Sequence, residues 1–280
     1  MYEVIFLWGL ALIYIIFAVI QDIKTKEIAN WINFSMIIFA LGFRFFYSFF
    51  NMDFTLLYSG LIGLGVFFII GNLLYYGKVF AGGDAKLMIG LGAILPLSLD
   101  LSSNLYSLFN FFFLFLSVSF LYILISSIVL CFKHFKSFKK EFFIQFRNNK
   151  RLMFAGVIAA IFFLALGFVN ELFFILGILT FFTSYLYLYS KAIDEACMVK
   201  SVNIQNLKEG DWLYSNLKVG KDIVKENWEG VSKKEIRELA SKYKKVTIRQ
   251  GIAFSPVFLI TFIGFIILYV LNITLWNSFR

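Results

Sequence analysis

The sequence predicts an all-α, polytopic membrane protein that carries a small α+β module. Of its 280 residues, 60% are apolar and only 15% are charged, whereas about half of an ordinary soluble domain is apolar. The mean hydropathy is +0.82. The long apolar runs are nearly continuous rather than alternating, which favours helices over the strands of a membrane β-barrel. Lipid is therefore the main solvent for most of the chain.

Eight apolar runs approach the ~20 residues that a helix needs to cross ~30 Å of hydrocarbon. They lie at residues 3–21, 31–50, 55–76, 85–99, 104–132, 152–169, 171–190 and 252–274. We expect about eight transmembrane helices, within a range of six to eight. The range reflects the short fourth run and the segment 152–190, which only Asn170-Glu171 interrupts. One long tilted or re-entrant segment is an alternative for 152–190.

These runs and the polar stretches between them divide the chain into five parts. They are a membrane domain of five helices at 1–132, a basic amphipathic segment at 133–151, a helical hairpin at 152–190, a small module at 191–250 and a C-terminal transmembrane helix at 251–280. Sixty residues make only a small core, so we expect the module to lean on the membrane helices or to cap a site.

Residues 133–151 have the pattern of an amphipathic helix in the headgroup region of a membrane. Phe135, Phe138, Phe142 and Phe146 recur every three or four residues between lysines, which separates apolar and basic side chains onto two faces. We expect anionic lipids to bind there. The alternative is a cytoplasmic extension of the fifth membrane helix.

Within 191–250, local signals predict one helix and two strands. Ser232 and Glu235 have capping-box spacing, and the apolar face that follows comprises Ile236, Leu239, Ala240 and Tyr243. Residues 210–217 and 245–249 are expected to form strands that flank this helix.

Lysine and arginine placement predicts the orientation. Basic residues concentrate in 22–30, 77–84, 133–151 and 191–250, whereas acidic residues dominate the alternate connections. Because short cytoplasmic loops carry the excess of Lys and Arg, we expect a multi-pass protein of the cell membrane with an external N-terminus. The positive charge is explained by this rule, and no nucleic-acid partner is expected.

The sequence offers little for a metal centre but has two carboxylates at the ends of spans. Cys131 and Cys197 are far apart and His134 is the single histidine, so we expect no disulfide, metal or cofactor. Asp22 ends the first span and Asp84 opens the fourth, and both are predicted at the cytoplasmic face.

Two carboxylates within a few ångströms of each other cannot both ionise easily, which is the arrangement in aspartic proteases. The ionised group draws a proton from water, and the protonated one polarises the scissile carbonyl. Gly82-Gly83 before Asp84 would let the backbone approach a neighbour closely and would permit a positive φ. Each feature also has a plainer interpretation, as a helix cap, a solvated charge or a turn.

The spacing Asp22-x5-Ile28-Ala29-Asn30, followed by Gly82-Gly83-Asp84-Ala85-Lys86, resembles the two active-site motifs of the prepilin peptidase family. These are membrane-embedded GxGD aspartic proteases. Residues 207–211 and 245–259 further resemble the end of archaeal members, including preflagellin peptidases. Ala81 stands where the strict GxGD motif has Gly, and Ala29 stands where the bacterial pattern has Pro.

The resemblance implies that Asp22 and Asp84 are catalytic and that Asn30, Gly82, Gly83 and Lys86 shape the site or bind substrate. It implies cytoplasmic cleavage of class III signal peptides from prepilin or preflagellin (archaellin) precursors by 1–132. The alternatives are a non-catalytic assembly platform for a pilus or archaellum and an ion-coupled transporter. The true precursor, its cleavage-site preference and the oligomeric state stay open.

Overall fold

The computed structural model describes residues 2–95, 101–219 and 222–271. Its helices are α1 (Tyr2–Thr25), α2 (Asn30–Asn51), α3 (Thr55–Tyr76), α4 (Gly82–Gly92), α5 (Leu101–Lys133), α6 (Phe135–Asn148), α7 (Lys150–Leu166), α8 (Glu171–Ile193), α9 (Lys233–Ala240) and α10 (Pro256–Val270). Its strands are β1 (Val199–Asn203), β2 (Trp212–Leu213), β3 (Leu217–Val219), β4 (Asp222–Val224) and β5 (Lys245–Arg249).

The predicted class, a polytopic helical membrane protein with a small α+β module, is confirmed. Each of the eight predicted apolar runs contains a helix. By length and composition, five of the helices in the described ranges are candidate spans: α1, α2, α3, α5 and α8. The pair α6 and α7 would make a sixth if counted as one span, although it bends by 77°.

Helices α4 and α10 are too short to count as candidate spans, which explains why at most six are found in the described part of the chain where eight were predicted. Helix α4 has 11 residues and rises only ~16 Å, and α10 has 15 residues. Residues 96–99 of the predicted fourth run and residues 272–274 of the last run lie outside the described residues. The number of crossings therefore stays a prediction.

The chain forms two compact units, of which the first comprises residues 1–123 and 253–280. In this unit α1 packs against α10. Trp8 and Tyr269 meet edge to face with ring centroids 5.3 Å apart, and Asp22 meets Ser255 at the other end of the pair. The two helices are therefore antiparallel, and the amino end of α10 lies beside the carboxyl end of α1.

An arginine buried inside the first unit ties three helical segments together. Arg44 on α2 has no exposed surface. Its guanidinium donates hydrogen bonds to the carbonyl oxygen of Leu56 at 2.7 Å, to Ser59 Oγ at 3.1 Å and to the carbonyl oxygen of Ile94 at 2.9 Å. The sequence analysis did not anticipate this role, because an arginine near the end of an apolar run resembles a residue exposed at the membrane surface.

A glycine on α3 makes room for that arginine. A Cβ atom at Gly60 would lie 2.5 Å from Arg44 Cδ and 2.7 Å from its Nε. At Gly65, on the same helix, an added Cβ would meet no heavy atom within 4 Å apart from the adjacent backbone of its own helix. The two glycines therefore form a matched pair for testing how the buried arginine is held.

We expect Gly60→Ala to lower the free energy of unfolding by about 1–3 kcal/mol, because the added methyl group overpacks the site and displaces a hydrogen-bonded side chain. Gly65→Ala should be neutral or stabilising, since alanine is the better helix former. Thermal unfolding of both purified variants in one detergent checks the difference. Equal unfolding temperatures for the two variants would contradict it.

The second unit comprises residues 124–252 and contains a helical hairpin with an attached helix. Helices α7 and α8 pack along each other, and α6 packs against α8. Phe138 of α6 meets Tyr189 of α8 with ring centroids 5.6 Å apart. One residue, His134, separates α6 from the end of α5.

The rest of this unit is the α+β module. Antiparallel strands form a sheet of order β1-β5-β2 and a separate ribbon of β3 and β4. Helix α9 begins at the predicted capping box, with Ser232 and Glu235 bonded reciprocally. Apolar side chains from the strands, α9 and the loops form the core, namely Leu207, Leu213, Val224, Val231, Leu239, Val246 and Ile248.

The predicted strands are partly correct. The strand at 245–249 is confirmed as β5, whereas β1 and β4 were not predicted from the sequence. The single strand predicted at 210–217 is wrong: the chain bends after β2 and forms a new pair as β3. Asn216, in this bend, accepts a hydrogen bond from the backbone N–H of Glu226, which fixes the chain at the change of partner.

An ion-pair cluster joins α8 to the sheet. A π-helical turn, Asp194–Met198, links α8 to β1. Arg249 of β5 pairs with Asp194 and with Glu195, each at 3.0 Å, and the Tyr214 hydroxyl donates to Glu195 at 2.8 Å. Both acidic residues of the turn are thus held by side chains of the module.

Candidate active site

The carboxylate of Asp22 is buried in the last turn of α1. The residue is 7% exposed, and its Oδ2 accepts a hydrogen bond from the backbone N–H of Ser255 at 3.1 Å. Ser255 directly precedes α10 and has no exposed surface. The first predicted site residue therefore meets a segment 233 positions away in sequence.

The carboxylate of Asp84 is buried in the first turn of α4. The residue is 8% exposed, and the extended backbone of Ala81 precedes the helix. The two carboxylates are close enough for the charge of Asp22 to act on Asp84. The structure thus brings the two predicted aspartates into one electrostatic environment, although they are 62 positions apart in sequence.

The loop between α1 and α2 lies beside the first turns of α4. Lys86 Nζ donates to Asn30 Oδ1 at 2.6 Å, so two further predicted site residues meet each other. Gln21 Oε1 accepts from the backbone N–H of Ala29 at 2.9 Å, which fixes the chain where it enters α2. Roles for Gln21 and Ser255 in the site were not predicted from the sequence.

The two glycines before Asp84 differ in their surroundings. A Cβ at Gly83 would lie 3.1 Å from Ile28 Cβ, whereas at Gly82 the nearest heavy atom would be Tyr75 Cε2 at an ordinary 3.7 Å. Neither glycine has a positive φ, so the turn into α4 does not use the left-handed conformation that glycine would permit. Close approach of the α1–α2 loop explains Gly83, and nothing in the structure explains Gly82.

The amino ends of neighbouring helices contribute positive partial charge around the two carboxylates. Asp84 lies in the first turn of α4, the N–H before α10 contacts Asp22, and α2 begins at Asn30, which binds Lys86. The amino end of a helix carries about half a positive elementary charge. An arrangement of this kind can hold negative charge in a buried place without a metal ion.

Other titratable side chains near the site are more exposed. Lys24, Lys26 and Glu27 all lie on the surface. Within the described part of the chain, no group of three His, Cys, Asp or Glu side chains is arranged to hold a metal ion. The chemistry that the described groups can supply is proton transfer between water, a peptide and two carboxyl groups.

Comparison with known proteins gives one family and several relatives. Residues 9–132, which include both aspartates, match the type IV leader peptidase family. The chain is 32% identical to a preflagellin peptidase of Methanocaldococcus jannaschii over 101 residues, which are 36% of the chain and 43% of the relative. It is 34% identical to one of Methanococcus voltae over 89 residues, 32% of the chain and 38% of the relative.

A preflagellin peptidase of Methanococcus maripaludis is 32% identical over 82 residues, 29% of the chain and 35% of the relative. The chain spans less than half the length of these curated relatives. No solved structure matches it. The predicted resemblance to archaeal prepilin and preflagellin peptidases is thus confirmed.

Proposed function

We propose that this protein is a membrane-embedded aspartic endopeptidase in which Asp22 and Asp84 form the catalytic pair. The observation that carries the proposal is the burial of both carboxylates in one electrostatic environment, within the segment that matches the type IV leader peptidase family. Burying carboxylates costs free energy, and carboxylates that share a site are a feature of acid–base catalysis.

The proposed chemistry needs only the two carboxyl groups and a water molecule. The ionised carboxylate takes a proton from the water as its oxygen attacks the scissile carbonyl carbon, and the protonated carboxyl gives its proton to the carbonyl oxygen. As the C–N bond of the tetrahedral intermediate breaks, the leaving amine takes a proton from the first aspartate, and one hydroxyl of the intermediate returns its proton to the second aspartate as the new carboxyl group forms. Asn30, Lys86 and Gly83 shape the site around these steps, and the family resemblance implies the same role for Gly82.

The proposed substrates are prepilin or preflagellin (archaellin) precursors. Three relatives are named preflagellin peptidases, and the resemblance implies short basic leaders that precede a hydrophobic helix. A precursor anchored by that helix would present its leader junction at the ends of the membrane helices. Both aspartates lie at such ends, in the last turn of α1 and the first turn of α4.

We expect Asp22→Asn, Asp84→Asn and the double variant each to lower cleavage by about 1,000-fold or more, because residues that act as a unit are not additive. The double variant should be no worse than the worse single one. Glu at either position should cost ~100-fold, since an added methylene displaces the carboxylate by ~1 Å. The conversion of precursor to mature protein on a gel measures each variant.

Asp53→Asn is the matched control, because Asp53 is an exposed aspartate that contacts Thr55 at the start of α3. It should cleave at the wild-type rate. Asn at position 22 can still accept the hydrogen bond from Ser255, so unfolding temperatures should stay close to wild type. Normal processing by either single asparagine variant would reject the protease and favour the assembly platform or the transporter.

The proposed active site faces the cytoplasm. The support is the excess of Lys and Arg in residues 22–30, 77–84, 133–151 and 191–250, since such residues favour the cytoplasmic side of short loops. This orientation also defines a multi-pass protein of the cell membrane with an external N-terminus.

Single cysteines at Ser137 and Ser232, in a background with Cys131→Ser and Cys197→Ser, should resist a membrane-impermeant maleimide in intact cells and react after lysis. A cysteine at Asp53 should react in intact cells, because that loop is assigned to the outside. Labelling of positions 137 and 232 from outside would overturn the orientation.

Helix α6 is proposed to lie on the membrane surface and to bind anionic lipid. Lys136, Lys139, Lys140 and Arg147 are exposed, as are Phe135, Phe143 and Phe146. The 77° bend between α6 and α7 would put α6 nearly in the membrane plane if α7 crosses the bilayer. Basic and aromatic side chains together match an anionic headgroup layer.

Changing Lys136, Lys139 and Lys140 to Gln should weaken association with anionic lipid, since each well-placed basic residue contributes about 1 kcal/mol and salt screens the attraction. The control is the same change at the exposed Lys233, Lys234 and Lys244. Phosphatidylglycerol retained after detergent purification, measured by mass spectrometry, compares the two. Equal retention of phosphatidylglycerol by the two variants would contradict lipid binding by α6. If the folded α6 variant could no longer cleave a detergent-solubilised precursor, α6 would have to be assigned to the active site.

A further inference from the structure

The last turn of α1 is an unfavourable place for a buried carboxylate. The carboxyl end of a helix carries partial negative charge, and Asp22 is three residues from the end of α1. A buried charge also needs hydrogen bonds, because it has lost those of water. The donor that the structure describes for Asp22 is the backbone N–H of Ser255.

The start of α10 leaves that N–H available. Ser255 is followed by Pro256 at the first position of the helix, and proline has no N–H to donate. The next two donors are already used, since Val257 N–H bonds to the Phe254 carbonyl and Phe258 N–H to the Ser255 carbonyl. The N–H of Ser255 is therefore the donor of this turn that reaches Asp22.

Apolar packing keeps this donor in place. Phe258 and Phe262 of α10 have no exposed surface and Phe265 is 2% exposed. The contact between Trp8 and Tyr269 fixes the opposite end of the α1–α10 pair. The donor thus belongs to a rigid element and needs no rearrangement when negative charge is present on Asp22.

We infer that Ser255 is a positioning residue: its main-chain N–H holds Oδ2 of Asp22 and orients the carboxylate for its task in the catalytic pair. The inference rests on the proposed function. It assigns the role to the backbone and not to the serine hydroxyl, and it extends the site to a helix outside residues 9–132.

The test replaces a single backbone atom. In the full-length protein, position 255 is changed to alanine, and then to lactic acid, the hydroxy-acid analogue of alanine, by nonsense suppression. The second change turns the amide into an ester and removes the N–H. The control is the same amide-to-ester change at Ile260, which is half exposed on the same helix.

The alanine variant keeps its N–H and is the reference against which the ester at the same position is compared. The ester at 255 should lower kcat by about 10- to 100-fold, the usual effect of losing a hydrogen bond to a charged group, with KM for the precursor unchanged. The ester at 260 should keep the wild-type kcat, and both esters should unfold at similar temperatures.

Equal losses of kcat in the two esters would show a general weakening of α10 and overturn the inference. A comparable loss in the alanine variant would assign the effect to the hydroxyl and also overturn it. If Asp22→Asn abolishes cleavage while the ester at 255 keeps the wild-type kcat, the inference fails and the proposed function stands. Full cleavage by Asp22→Asn would instead reject the proposed function and the inference with it.

Discussion

Charged side chains buried in a lipid-facing bundle must find their hydrogen bonds within the protein, and the architecture of the first unit follows from this constraint. Arg44 meets it with two carbonyl oxygens and a hydroxyl from α3 and the end of α4. Asp22 meets it with a backbone N–H at the start of α10. Each contact connects segments that are distant in sequence, so the charged groups determine which helices come together.

Polar contacts of this kind and apolar packing have different roles in the association of α1 with α10. The apolar faces of α1 and α10 contribute van der Waals packing between the helices, but such faces tolerate small slips along the helix axes. The hydrogen bond of 3.1 Å between Asp22 and Ser255 would be broken by such a slip, because hydrogen bonds weaken steeply with distance and angle. The meeting point of the helix ends is therefore set by polar atoms and stabilised by phenylalanines, which gives a buried carboxylate a defined position.

Much of this could be predicted from the sequence, and the omissions share a physical cause. Each apolar run predicted the position of a described helix, and capping-box spacing predicted the start of α9, because both signals are local. The aspartates stood out as carboxylates at the ends of runs. Ser255 was missed because a backbone donor has no residue signature, and the burial of Arg44 depends on Gly60, a helix away. The bend after β2 was missed since the change of strand partner is a tertiary event.

Helix α4 shows how the stability of the bundle and the proposed chemistry depend on the same contacts. At its start, Lys86 binds Asn30 of α2 and Gly83 lies against Ile28. Just beyond its end, the carbonyl of Ile94 accepts from Arg44, also on α2. A helix of only 11 residues that is attached to the same neighbour at both of its ends has little freedom to tilt or slide. Asp84 in its first turn is thereby held in a defined position, which the proposed chemistry requires because a displacement of ~1 Å can cost ~100-fold in rate. A loss of either attachment would loosen the fold and misplace the carboxylate together.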